Sequence, residues 1–309
     1  MSVIFLKPQF KYRIWGGNKL KEDYYSIAPD KTGEAWLISG HQNGSTEIIN
    51  GQYRGSLLKD FYLTNPNLFN DENKDQFPLL VKLIDAADNL SVQVHPDDKM
   101  ALEYHSLGKT ECWYIISATD EAEIIYGHNA LTKEDFITKV KNKDWENLLR
   151  RRKVKAGDFY YLPAGMVHAI NKGVVILEVQ QSADLTFRLY DYERIDKDGK
   201  KRELHLAEAI AATTFPQQEY HFQKASKKIN SNLITTLTDA KYFKVEKWDL
   251  KEQIKTENNH YTLMVFLEGS GTINNEYYQK GDACIVLSDA KEIEIIPEEK
   301  TLLISANSK

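Results

Sequence analysis

What this sequence lacks narrows its class before any motif is read. It has only two cysteines, Cys112 and Cys284, far apart and outside any CxxC pair, so neither a disulfide framework nor a thiolate zinc cluster is in prospect. A reducing compartment suits that usage. No run of about 18 apolar residues occurs, and the opening MSVIFLKPQFKYRIWGG sets Lys7, Lys11 and Arg13 around one short apolar patch. Neither a membrane span nor a leader is expected, and the chain reads as cytoplasmic. Basic blocks are missing too: 40 Lys and Arg stand against 45 Asp and Glu, spread along the chain for a net charge of −5. Nucleic acid is therefore not the expected partner. The phosphate loop GxxxxGK[ST] is absent, and RIWGG at 13–17 lacks a strand–loop–helix setting, so nucleotide use is not expected either.

What is present is alternation. The segments EAWLIS (34–39), STEIIN (45–50), LLVKLIDA (79–86), LSVQVH (90–95), CWYIISA (112–118), AEIIYG (122–127), FYYLPA (159–164) and VVILEVQQ (174–181) all read as short strands. Gly, Asn, Asp and Pro punctuate them, which predicts a mainly β fold of sandwich or jelly-roll type. Helical spacing is rarer. Thr132, followed by Glu134 and Asp135, opens a predicted helix over 131–149, and LHLAEAIAAT predicts another over 204–213. Shorter helices are expected near 55–63 and 97–106. At 309 residues about two domains are expected. A polar stretch after Phe215 divides residues 1–215, a larger domain with helical insertions, from 230–309, a smaller β-sandwich.

Three segments carry chemistry. In SVQVHPDD, Ser91, Gln93 and His95 share one strand face, because alternate residues point the same way. Turned into a barrel, Gln93 and His95 converge as metal ligands; turned outward, the same face is simply solvated. Glu111, in GKTE at the start of an apolar strand, is either a hard oxygen ligand or an exposed carboxylate. In GDFYYLPAGMVH the Pro-x-Gly turn reverses the chain and aims His168 back across the sandwich toward His95. Two imidazoles, a carboxylate and an amide suit zinc, and also iron or manganese. The remaining histidines, His41, His105, His128, His205, His221 and His260, read as surface or structural, and the pair Trp113-Tyr114 as core. No His/Glu ligand pattern follows Gly281-Asp282, so the C-terminal unit is expected to bind no metal.

The Gly-Asp…Pro-x-Gly-x-x-His pattern resembles the second cupin motif, with Asn171 one position earlier than usual. SVQVHPDD, GKTECWY, PAGMVHAI and RLYDYER, with RIWGG and GEAW (33–36), resemble in order the type I mannose-6-phosphate isomerase family in its short bacterial form. The resemblance spans residues 1 to about 215 and is less distinct beyond. It implies two cupin domains, one zinc per chain held by Gln93, His95, Glu111 and His168, and a sugar-phosphate substrate. It also implies an active site with Lys109, Glu178 and Arg188 as catalytic residues and an aspartate at Asp184. Ala183 departs from the family's usual serine.

Aldose–ketose isomerisation moves a proton between C2 and C1 through an enediol, which needs charge stabilisation on oxygen and a group that takes and returns the proton. Glu178, Lys109, a metal-bound water and a nearby histidine all remain open as that group. Arg188 and Lys109 suit enediolate and phosphate charge, and Trp15, Ser91 and Asp184 suit substrate positioning. A monomer or weak homodimer is expected. The competing readings are a non-catalytic sugar-sensing cupin, an isomerase of a related aldose phosphate, and a cupin oxygenase; Gln93 as a ligand speaks against redox iron.

Overall fold

The computed structural model describes residues 2–70, 75–195, 199–220, 222 and 225–309. Within them the alternating segments form four antiparallel sheets. Six strands run in the order Phe159–Leu162, Glu111–Ala118, Val174–Gln181, Leu79–Ala86, Gln9–Gly17 and Thr32–Ser39. Five more run Phe187–Tyr190, Val92–Val94, His168–Ile170, Glu123–His128 and Leu149–Lys153. Ile84, Trp113, Ile115 and Ile176 of the first sheet pack against Ile124, Tyr126 and Ile170 of the second, which makes these two sheets the halves of one jelly roll.

The helix expected over 131–149 is two helices, Lys133–Lys141 and Trp145–Leu148. They part at Lys143, whose φ of 55° leaves the right-handed region. Thr132 caps the first, accepting the Asp135 N–H at 3.2 Å. The helix expected over 204–213 spans Leu206–Ala212. Phe136, Val140, Leu148 and Ala209 of these helices cover the outer face of the five-stranded sheet against Val92, Val94 and Leu189. The shorter helices are Leu58–Thr64 and Asp98–Ala101. Among the described residues, no helix is long and apolar enough to cross a membrane.

The C-terminal strands build an eight-stranded sheet and a four-stranded one around Trp248, Phe266, Tyr278, Ile293 and Leu303. The eight-stranded sheet also contains the chain's first strand: Val3–Lys7 pairs antiparallel with Ala283–Val286, across the division suggested near 215–230. The strand can do so because both its faces are apolar. Val3 and Phe5 enter the C-terminal core, and Ile4 and Leu6 enter the core between the eight- and six-stranded sheets.

Candidate metal centre and active-site pocket

Gly165 takes a φ of +86° at the Pro-x-Gly turn, a region open to glycine, and a Cβ there would lie 2.6 Å from Thr214. The turn brings the chain back so that His168 pairs in register with Gln93, and Gln93 pairs on its other side with Arg188. The rings of His168 and His95 then stand 4.8 Å apart. Glu111 enters from the six-stranded sheet and lies between them, Oε2 3.4 Å from His95 Nε2 and Oε1 3.4 Å from His168 Nε2.

The donors fit a tetrahedral cation. Two ligand atoms, each ~2.05 Å from one centre, lie about 3.3 Å apart at the tetrahedral angle, which is the spacing of these pairs. Each Nδ1 is engaged by a backbone carbonyl, His95 by Leu185 O at 2.9 Å and His168 by Met166 O at 2.8 Å. Nδ1 therefore carries the proton, and the Nε2 lone pairs face inward. Burial, and then the Lys109 charge, bring His95 down to about 3; burial also lowers His168, so both imidazoles are neutral. Burial opposes a charge on Glu111, but above all the Lys109 ammonium holds it well below the usual carboxylate range. Its Oε1 is buried with no hydrogen-bond donor, an acceptor a cation would satisfy. The Gln93 amide lies 3.4 Å from His168 Nε2 through its nitrogen; turning the amide plane presents Oε1 instead. Lys109 Nζ donates to His95 Nε2 at 2.8 Å and to Glu111 Oε2 at 2.7 Å.

Over this cluster opens a pocket of about 510 Å³. Gln93 and Lys109 line it together with Trp15, Ser91, Glu178, Asp184 and Arg188, so the residues singled out by sequence meet at one place. Trp15 and Ser91 are buried in its wall. Asp184 sits at the rim, where it accepts from Asn43 Nδ2 at 2.6 Å. Glu178 is buried: Trp113 Nε1 donates to Oε1 at 2.8 Å, while Oε2 has no hydrogen-bond donor among the described residues and is ion-paired with Lys82, whose Nζ lies 2.7 Å away. Burial, then the Glu111 charge, raise the Glu178 carboxyl above its ordinary range against the pull of Lys82.

Sequence reading missed part of this wall. Lys82 and Glu34 are buried and line the pocket, and Glu34 binds Arg13 Nε at 2.8 Å and Trp36 Nε1 at 2.7 Å. Lys82 did carry a signal, as a lone cation inside the apolar run LLVKLIDA. Arg202 was also missed; it lines the pocket beside Arg188 and grips Asp191 through Nε at 2.8 Å and through Nη2. Asp191 takes Arg194 as well, at 2.7 Å. Among the described residues, no carboxylate lies within 4 Å of Arg188, whose Nη1 donates only to the Glu203 backbone carbonyl at 2.7 Å and whose Nε is buried without a partner.

His205 is structural. It braces Arg188, accepting its backbone N–H on Nδ1 at 3.1 Å and donating its own to the Arg188 carbonyl at 2.8 Å. His128 is buried between Phe136 and Phe215. His221 lies outside the described residues.

A jelly-roll pair holding a buried His–Glu–His cluster beneath a cationic pocket defines the class, a cupin of the enzymatic kind. Residues 3–127 match the model of the phosphomannose isomerase type I catalytic domain, and 233–305 that of the mannose-6-phosphate isomerase cupin domain. Mannose-6-phosphate isomerase ManA of Bacillus subtilis (strain 168) is 46% identical over 286 residues, 90% of this chain and 91% of that protein. The crystal structure of the mannose 6-phosphate isomerase from Bacillus subtilis aligns with a TM-score of 0.95 at 40% identity over 99% of both chains. A zinc-bound mannose 6-phosphate isomerase shares the fold, with a TM-score of 0.79 at 15% identity over all of both chains. The chain belongs to the type I mannose-6-phosphate isomerase family.

Proposed function

We propose that this pocket interconverts mannose 6-phosphate and fructose 6-phosphate, with one zinc ion per chain held by Gln93, His95, Glu111 and His168. The observation that carries the reading is the meeting, in one pocket, of a raised-pKa carboxylate, a lysine on the ligand cluster and an arginine with no carboxylate partner. A divalent cation in that cluster supplies Lewis-acid stabilisation of negative charge on a sugar oxygen.

The chain's own groups account for the rest. Glu178, held by Trp113 and Lys82, takes the proton from C2 of the aldose, and the C2–H electron pair forms the C1–C2 double bond as the carbonyl π pair moves to O1. Burial makes the carboxyl a stronger base than a solvated one, and the Trp113 hydrogen bond with the Lys82 ion pair fixes its direction. Lys109 stabilises charge on the developing enediolate. In the second half the O2 proton is transferred to O1, the O2 electron pair forms C2=O, and the C1–C2 π pair takes the proton back from Glu178 at C1. Trp15, Ser91 and Asp184 shape the sugar's seat.

Arg188 and Arg202 hold the phosphate. Arg194 and Arg202 both pair with Asp191, Arg194 reaching Asp88 as well, whereas Arg188 beside them has no carboxylate within 4 Å among the described residues; burial, and then the Arg202 charge, pull Arg188 below the usual guanidinium value. A phosphate dianion relieves that excess of positive charge. The catalytic domain is residues 1–215, the C-terminal unit walls and supports it, and the protein works in the cytoplasm as a monomer or weak homodimer.

The test is an isomerase assay with mannose 6-phosphate, following fructose 6-phosphate, beside a panel of other aldose phosphates. Turnover of mannose 6-phosphate that Glu178→Gln removes supports the reading. Binding without turnover would instead favour the sugar-sensing reading, and preference for another aldose phosphate would reassign the substrate.

A further inference from the structure

The inward face of the C-terminal eight-stranded sheet is unevenly apolar. One row across it is greasy: Ile234 pairs with Trp248, and Trp248 with Leu303. Two residues further along the same face, Thr236 pairs with Glu246 and Glu246 with Ser305, and beyond them Lys244 pairs with Asn307. Polar side chains at inward positions of a small barrel give up packing unless something polar faces them. What they face is a half-open cavity of about 640 Å³, lined also by Asn258–His260 and by Ile293 of the four-stranded sheet.

The cavity is amphipathic, with Ile234, Trp248 and Ile293 on one side and Thr236, Glu246, Ser305 and Asn307 on the other. Trp248 is 4% exposed, and its indole N–H, which can only donate, has no partner among the described residues. Nδ1 of His260, another lining residue, is also buried without one. The walls carry charge of both signs, Lys227, Lys244 and Lys309 with Glu246 and Glu257. Lys244 pairs with Glu246, which also accepts from Thr236 Oγ1 at 3.1 Å, and Lys309 pairs with Asp239. The catalytic pocket differs in this respect, since Arg188 there has no carboxylate.

We infer that this barrel binds a second ligand, a neutral ring-shaped polyol such as a free hexose. The apolar floor with Trp248 takes the C–H face of the ring, and the carboxylate, amide and hydroxyl walls take its hydroxyls. An anion is disfavoured because no lining cation beyond the exposed Lys227 lacks a carboxylate partner. The site is independent of the catalytic reading and shares no residue with it.

The experiment uses the full chain labelled with 15N, in which five tryptophans give five indole N–H signals and Trp248→Phe identifies one. The probe is D-mannose, with glycerol and inorganic phosphate as controls. The Trp248 signal is expected to move saturably in D-mannose with an affinity on the order of millimolar, as a small neutral ligand allows. Signals of Trp15 and Trp113 report the catalytic pocket separately. Glu246→Gln, and independently Thr236→Val, should weaken the Trp248 response at least roughly fivefold while isomerase turnover is unchanged. A Trp248 signal that stays still in D-mannose, or that answers glycerol or phosphate equally, overturns the proposal.

Discussion

Trp113 and Glu178 face each other across neighbouring strands, and the indole N–H of Trp113 donates to Glu178 Oε1 at 2.8 Å. Lys82 is the register partner of Glu178 on the other side, with Nζ 2.7 Å from Oε2. One row of the six-stranded sheet thus carries the carboxylate assigned to proton transfer and both groups that hold it. Trp113→Phe keeps the buried ring volume and removes the bond. A bond to a charged group contributes about 1.5–3 kcal/mol, so kcat should fall by roughly tenfold to a hundredfold with KM little changed. Because the lost bond favoured the ionised carboxylate, the acid limb of the pH–rate profile should move to higher pH. An unmoved acid limb contradicts the role given to this pair.

The arginines make a different prediction, on binding rather than on turnover. Arg202→Gln and Arg188→Lys should each raise KM for mannose 6-phosphate by roughly tenfold or more, because a fork-shaped donor to phosphate is lost. Competitive inhibition by inorganic phosphate should weaken in parallel. If KM rises while phosphate inhibits as before, the phosphate lies elsewhere.

His128 gives the chain a built-in acid sensitivity away from the catalytic pocket. Burial, and then the Arg150 charge, bring its imidazole down to about 4 from an ordinary 6.5. The unfolded chain takes up this proton first as pH falls, so the stability it contributes is complete above pH 6.5 and declines toward pH 4. His128→Phe, which keeps a ring against Phe136 and Phe215, should make the fall in melting temperature across that window shallower than in the native chain. Equal slopes in the two proteins exclude His128 as a contributor.

Tyr261 joins the two units. Its ring meets Phe69 at 5.2 Å and Phe77 at 5.9 Å, and its hydroxyl shares a hydrogen bond with Ser308 at 2.7 Å. Tyr261→Ala opens a cavity in the core between them and should destabilise the protein by about 3–5 kcal/mol in chemical denaturation. Metal content at low temperature should be unaffected, which separates this support role from the chemistry.

The site was legible in the sequence wherever its residues sit in short local patterns. SVQVH, GKTE and PAGMVH hold the proposed ligands by strand alternation, at a strand start and after a glycine turn, and those four side chains converge. What was not legible depends on pairing between distant segments. Nothing local in VIFLK says that Val3 will pair with Val286, and nothing in the tail KRELH says that Arg202 will stand beside Arg188. The helix over 131–149 was read as one because its apolar spacing runs on through Asn142 and Lys143, and spacing alone does not report a positive φ. Trp113 reads correctly as core, and the core position is what lets its N–H reach Glu178.

Isomerisation is proposed to depend on a metal held by the His95–Glu111–His168 cluster. This dependence is tested most directly by measuring bound zinc and mannose 6-phosphate turnover on the same sample, before chelation, after it, and after zinc is restored. About one zinc per chain is expected, with zinc and turnover both lost on chelation and recovered together, and His168→Ala recovering neither. Full turnover in protein shown to be free of metal would contradict it.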